Sequence, residues 1–76
     1  MRDLPIRGES IRLGQALKLS GLAESGGEAR AVVEDGAVTV NGEVEMRRGR
    51  QLHPGDVVEV AGEELRLVAA QSSSSS

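Results

Sequence analysis

Arg47, Arg48 and Arg50 fall within four consecutive positions. A guanidinium presents a planar fork of donors that matches phosphate oxygens. Three on one loop can follow a nucleic-acid backbone without reading bases. The competing reading is a solvated loop whose charge balances Glu43 and Glu45. Arg12, Gln15 and Lys18 recur at i, i+3 and i+6, which lines them along one helix face as a polar stripe. Arg30 can add to a basic surface or pair with Glu34 four residues on. Ser25-Gly26-Gly27-Glu28 has the spacing of a capping box, with the serine oxygen taking a first-turn N–H and Glu28 reaching back. Free N–H groups at such a helix start can hold a phosphate, although Glu28 repels anions there.

Other chemistries are disfavoured by composition. The chain has no cysteine and a single histidine, His53. A zinc site, a thiol nucleophile and a Ser/His triad therefore lack their parts. The carboxylate pairs Glu34-Asp35 and Glu63-Glu64 are chain neighbours that point apart on a helix or strand, and they read as surface charge. No metal, cofactor or catalytic residue is expected. The absence of Phe, Tyr and Trp removes base stacking, which carries most sequence-tolerant single-strand binding. With a net charge of −3, any nucleic-acid role must come from a local basic patch. The longest apolar runs are too short to span a membrane. Met1 to Gly8 has no apolar segment of the secretory kind. A cytoplasmic setting is the expectation.

The elements that must position these residues follow from periodicity. Leu4 to Ile6 can be a short strand, confined to an edge by Pro5. Ser10 is placed to cap a helix over Ile11 to Leu19, with Leu13, Ala16 and Leu17 on its apolar face. Gly21 suits the left-handed position after it, with Leu17 and Leu22 as the apolar pair of a Schellman stop. A second helix opens at Ser25, buries Ala29, Val32 and Val33, and ends at Gly36. The period then shortens to that of strands. Val38 to Val40 and Val44 to Met46 flank Asn41-Gly42, a strong hairpin signal. A two-residue turn would put Val38 opposite Glu45, mixing valines and glutamates on one face. A three-residue loop that matches Val44 to a valine is therefore preferred. Met46 to Gln51 reads as a basic loop, His53-Pro54-Gly55-Asp56 as a type II turn, and Val57 to Val60 and Glu64 to Val68 as two more strands. The expected class is α+β, with two short helices packed on a small, mainly antiparallel sheet.

Arg12-Leu13, Leu17, Gly21-Leu22-Ala23, Ser25, Ala29, Gly36, Val38 to Gly42 and Pro54-Gly55-Asp56 with Val58 form an ordered set. That set resembles the S-four RNA-binding domain, the alpha-L motif, over roughly Ser10 to Val60. The short chain resembles the stand-alone YbcJ-type members of that family. The resemblance implies an alpha-L fold and binding of structured RNA, ribosomal or transfer RNA, through the helical pair and a nearby loop. Carried over by position, it implies that Arg12, Ser25, Arg30, Asn41 and Gly42 lie on or near the RNA face. Lys18 and the loop arginines Arg47, Arg48 and Arg50 complete the candidate set. Gly26 and Gly27 stand where relatives often carry a basic residue. The resulting division is an N-terminal arm over 1–9, the RNA-binding domain over 10–71 and a disordered serine tail over 72–76, in a monomeric protein.

Two other readings stay open. One is a protein-docking module without RNA binding, favoured by the net negative charge. The other is a ubiquitin-like carrier, suggested by Val40 to Val44 with Val58-Glu59-Val60 but lacking the C-terminal Gly-Gly that such carriers activate. If the loop arginines are plain surface residues, replacing all three should move stability by no more than about 0.5 kcal/mol.

Overall fold

The computed structural model describes residues 2–70. The serine run Ser72 to Ser76, expected as a disordered tail, lies outside the described residues. Among the described residues seven strands and two helices follow one another as β1 (Arg2–Ile6), β2 (Ile11–Arg12), α1 (Leu13–Ser20), α2 (Gly26–Glu34), β3 (Val38–Val40), β4 (Glu43–Val44), β5 (Gln51–Leu52), β6 (Val57–Val60) and β7 (Glu63–Ala69). Five strands form one sheet in the order β1-β7-β6-β3-β4, and β2 pairs with β5 in a second, two-stranded one. Every pairing is antiparallel except β1 with β7. The class is the expected α+β. The strand expected at Leu4 to Ile6 lies at the sheet edge, where the missing N–H of Pro5 is tolerated.

Alternation along the strands decides the core. Leu4 and Ile6, Val38 and Val40, Val58 and Val60, and Leu65 and Leu67 all turn inward. They meet Leu13, Ala16 and Leu17 of α1 and Ala29 and Val33 of α2 in one apolar cluster. Helix α2 stops at Gly36, whose φ of +79° suits glycine. Its N–H donates to the Val33 carbonyl and that of Ala37 to the Val32 carbonyl, the full Schellman pattern. Helix α1 closes with Gly21 donating to Lys18. The Leu22 N–H goes instead to Ser20 Oγ, and Ala23 reaches Leu17. Arg2 adds a guanidinium on the Ser20 carbonyl at 2.7 Å, a cation at the negative end of the helix.

Two local expectations need correction. Helix α1 begins at Leu13 rather than Ile11, and Ser10 does not cap it. Ile11 and Arg12 are extended because they pair with Leu52 and Gln51. The β3–β4 hairpin uses the two-residue Asn41-Gly42 turn rather than a three-residue loop, since Val40 faces Glu43 and Thr39 faces Val44. Both turn residues have positive φ, 53° and 88°, the type I′ geometry that matches strand twist. Val44 has no need of a valine partner because β4 is an edge strand and Val44 is exposed.

The β6–β7 hairpin repeats that geometry with a less suited residue, Ala61 at φ 54° before Gly62 at 84°. A Cβ in the left-handed region costs an alanine more than an asparagine. Ala61→Asn should therefore raise stability by about 0.5–1 kcal/mol, read as a higher denaturation midpoint at unchanged m-value.

Candidate nucleic-acid interface

The basic loop is built on the start of helix α1. An α-helix leaves its first N–H groups without partners. Here the loop's backbone supplies them: Leu13 N–H donates to the Arg50 carbonyl at 2.8 Å and Gly14 N–H to the Arg48 carbonyl at 2.9 Å. The approach does not depend on glycine at 14, since a Cβ there would meet Arg48 at 3.6 Å, an ordinary contact. The loop and helix stripe, separated by some thirty residues of chain, thereby become one surface.

That surface contains an open cleft of about 320 Å³ whose lining includes Arg12, Gln15, Lys18, Gly26, Arg48 and Gly49. Three cations from two segments thus face the first residue of α2. The loop turns its other arginines away, since Arg47 and Arg50 line a separate hollow with Gly49 and Gln51.

Arg47 and Arg50 are also occupied by Glu45. Its carboxylate is almost buried and accepts from Arg50 Nη1 at 2.8 Å on one oxygen. The other oxygen accepts from the Arg47 backbone N–H at 3.0 Å and from Arg47 Nε at 3.2 Å. The Arg50 bond and then the Arg47 N–H outweigh desolvation and pull the Glu45 pKa from 4.5 down to about 2. The same contact raises the Arg50 pKa. The loop arginines are therefore not equivalent. Replacing all three would strand a buried carboxylate, so the expectation of unchanged stability does not carry over to Arg47 and Arg50.

The remaining candidates lie elsewhere. Arg30 is exposed and pairs with Glu34 at 3.0 Å. Ser25 Oγ accepts from Glu28 N–H at 3.1 Å, the expected cap. Glu28 reaches back one residue further than a capping box requires, to the Glu24 N–H. Asn41 is engaged on both sides of its amide, donating to Asp56 Oδ1 at 3.1 Å and accepting from Val57 N–H at 3.0 Å. Burial raises the Asp56 pKa, but the His53 N–H and the Asn41 amide more than offset it, so the net shift is downward. Arg30, Asn41 and Gly42 do not line the cleft. Among the described residues no group of three His, Asp or Glu side chains could hold a metal ion. Among the described residues no helix is long and apolar enough to cross a membrane.

Ser25→Ala removes the cap and should destabilise by about 0.5–2 kcal/mol. A melt of the variant checks this. RNA affinity that falls while stability holds would instead give Ser25 a contact of its own.

Residue spacing pairs the loop arginines with Glu43 and Glu45 only as solvated charge, whereas the structure buries Glu45 and leaves Glu43 exposed. The signal was present in the Asn41-Gly42 turn, which places Glu45 beside the inward Val38 with arginines two and five residues on.

Comparison with known proteins places this geometry in context. The sequence pattern described as the S4 domain matches residues 4–68. A Bacillus subtilis protein named "Probable ribosome maturation protein RlbA" is 50% identical over 54 residues, covering 71% of this chain and 76% of its own. YbcJ of Escherichia coli is 37% identical over 59 residues, covering 78% and 84%. The solution structure of YbcJ, described as revealing an alfaL motif involved in RNA-binding, superposes with a TM-score of 0.63 at 34% identity, over 90% of this chain and 85% of that one. Ribosomal protein S4e of Thermoplasma acidophilum gives a TM-score of 0.61 at 27% identity, over 78% of this chain and 31% of its own.

Proposed function

The chain belongs to the S4 domain family, and from that premise we propose that it is a non-enzymatic binder of structured RNA. The observation that carries the reading is the convergence of Arg12, Lys18 and Arg48 on one cleft beside the start of α2. With no aromatic side chain, such a surface meets phosphates and helix shape rather than splayed bases. Ribosomal or transfer RNA is the class proposed, and the ribosome-related name of the Bacillus subtilis relative favours the ribosomal side. The protein acts as a cytoplasmic monomer in this reading. Ser25 caps the helix beside the contact and Arg47 and Arg50 shape its loop, while the three cleft cations make it and Arg30, Asn41 and Gly42 stand outside it.

Local charge reconciles this with the net charge of −3. Glu59 and Glu64 face each other across β6 and β7 and are exposed there, on strands that contribute nothing to the cleft lining. Filter binding of ribosomal RNA across a salt series tests the reading. Binding that weakens linearly in log salt supports it. No retention of RNA at low salt would overturn it in favour of a protein-docking module.

A further inference from the structure

We propose that Glu45 is a positioning residue for the RNA-contacting loop, holding the segment from Glu45 to Arg50 in the shape that caps helix α1 and sets Arg48 in the cleft. This inference rests on the RNA-binding reading and adds a residue that the basic-patch pattern does not contain.

Three arginines within four positions repel one another, and glycine at 49 leaves their loop conformationally free. β4 and β5 belong to different sheets, so no ladder between them holds it. Glu45 supplies the hold. It is the first residue after β4, its own N–H donates to the Val38 carbonyl at 3.0 Å, and its carboxylate grips both ends of the following turn. Arg50 N–H closes that turn on the Arg47 carbonyl at 3.1 Å. With both ends fixed, the Arg50 carbonyl accepts from the Leu13 amide and the Arg48 carbonyl from the Gly14 amide, and the Arg48 side chain falls on the cleft side. Both carboxylate oxygens must accept. A glutamine at this position would present an NH₂ to one of two donors, leaving one end of the turn ungripped.

The test is Glu45→Gln, with Glu45→Asp as a second variant that keeps the charge but shortens the reach. Glu45→Gln removes one negative charge from a chain at −3, so simple attraction predicts tighter RNA binding. Positioning predicts the opposite sign, ribosomal RNA bound roughly tenfold more weakly, and little further loss when Glu45→Gln is added to Arg48→Ala. Amide hydrogen exchange reads the loop without RNA. In both variants Leu13 and Gly14 should lose protection while Val33 in α2 keeps it. Binding as tight as wild type, losses that add to those of Arg48→Ala, or protection lost uniformly through the chain would each overturn the proposal. Wild-type protein that binds no RNA, yet shows the selective loss at Leu13 and Gly14 in the variants, would overturn the RNA reading and leave the loop role of Glu45 standing.

Discussion

Replacing Arg12, Lys18 and Arg48 together by alanine is expected to flatten the salt dependence of RNA binding by roughly 2–3 units of log K per log salt. Each cation that meets a phosphate releases counterions, and the slope counts them at about 0.7–0.9 per contact. The loss should be similar across RNA sequences, because phosphate contacts carry no base information. Stability should stay within about 0.5 kcal/mol of wild type, since none of the three side chains takes part in a salt bridge within the described residues. The control is Glu59→Ala with Glu64→Ala, which changes net charge on the sheet and should leave the slope almost intact. The pair Arg47→Ala with Arg50→Ala should behave differently: a smaller change in slope, because Glu45 already neutralises part of their charge, and a clear loss of stability. A salt slope that survives the cleft substitutions would remove the cleft as the phosphate contact.

Acid should loosen the loop over a defined window. The Glu45 carboxyl has a folded pKa of about 2 against an ordinary 4.5. A depressed carboxylate binds fewer protons in the folded state than in the unfolded one. Its contribution is therefore complete above about pH 4.5 and is lost as pH falls through about 2. Asp56, also shifted down, adds to the same trend. Denaturant unfolding measured from pH 7 to pH 2 should show wild type losing stability below pH 4.5. Glu45→Gln should be less stable at pH 7 and show a flatter profile through that window. Parallel profiles for the two proteins would show that the Glu45 carboxyl binds protons alike in the folded and unfolded states, and would remove the electrostatic account of the loop.

Much of the fold was readable because short-range rules govern it. The Ser25 cap, the Gly36 stop, the hairpin signal at Asn41-Gly42 and the inward valines of β3 and β6 each depend on a few neighbouring residues and their φ preferences. The start of α1 was not readable, because its true cap is the backbone of a loop distant in sequence, and backbone carbonyls leave no trace in residue type. The hairpin register was misjudged for a related reason. The spacing asks for a valine opposite Val44, whereas the tertiary structure leaves Val44 exposed and buries Glu45 beside Val38, where two arginines make that burial tolerable.

The amino-acid sequence by itself determined the class of the fold, the family resemblance and the presence of surplus basic residues on a loop and a helix. Those follow from periodicity, turn chemistry and composition, which are local or additive. Only the tertiary structure decided which cations act together. Arg47, Arg48 and Arg50 are alike in sequence, yet one faces Arg12 and Lys18 across a cleft and two are committed to a buried carboxylate. That division depends on distance and desolvation, and both arise only when the loop docks on the helix.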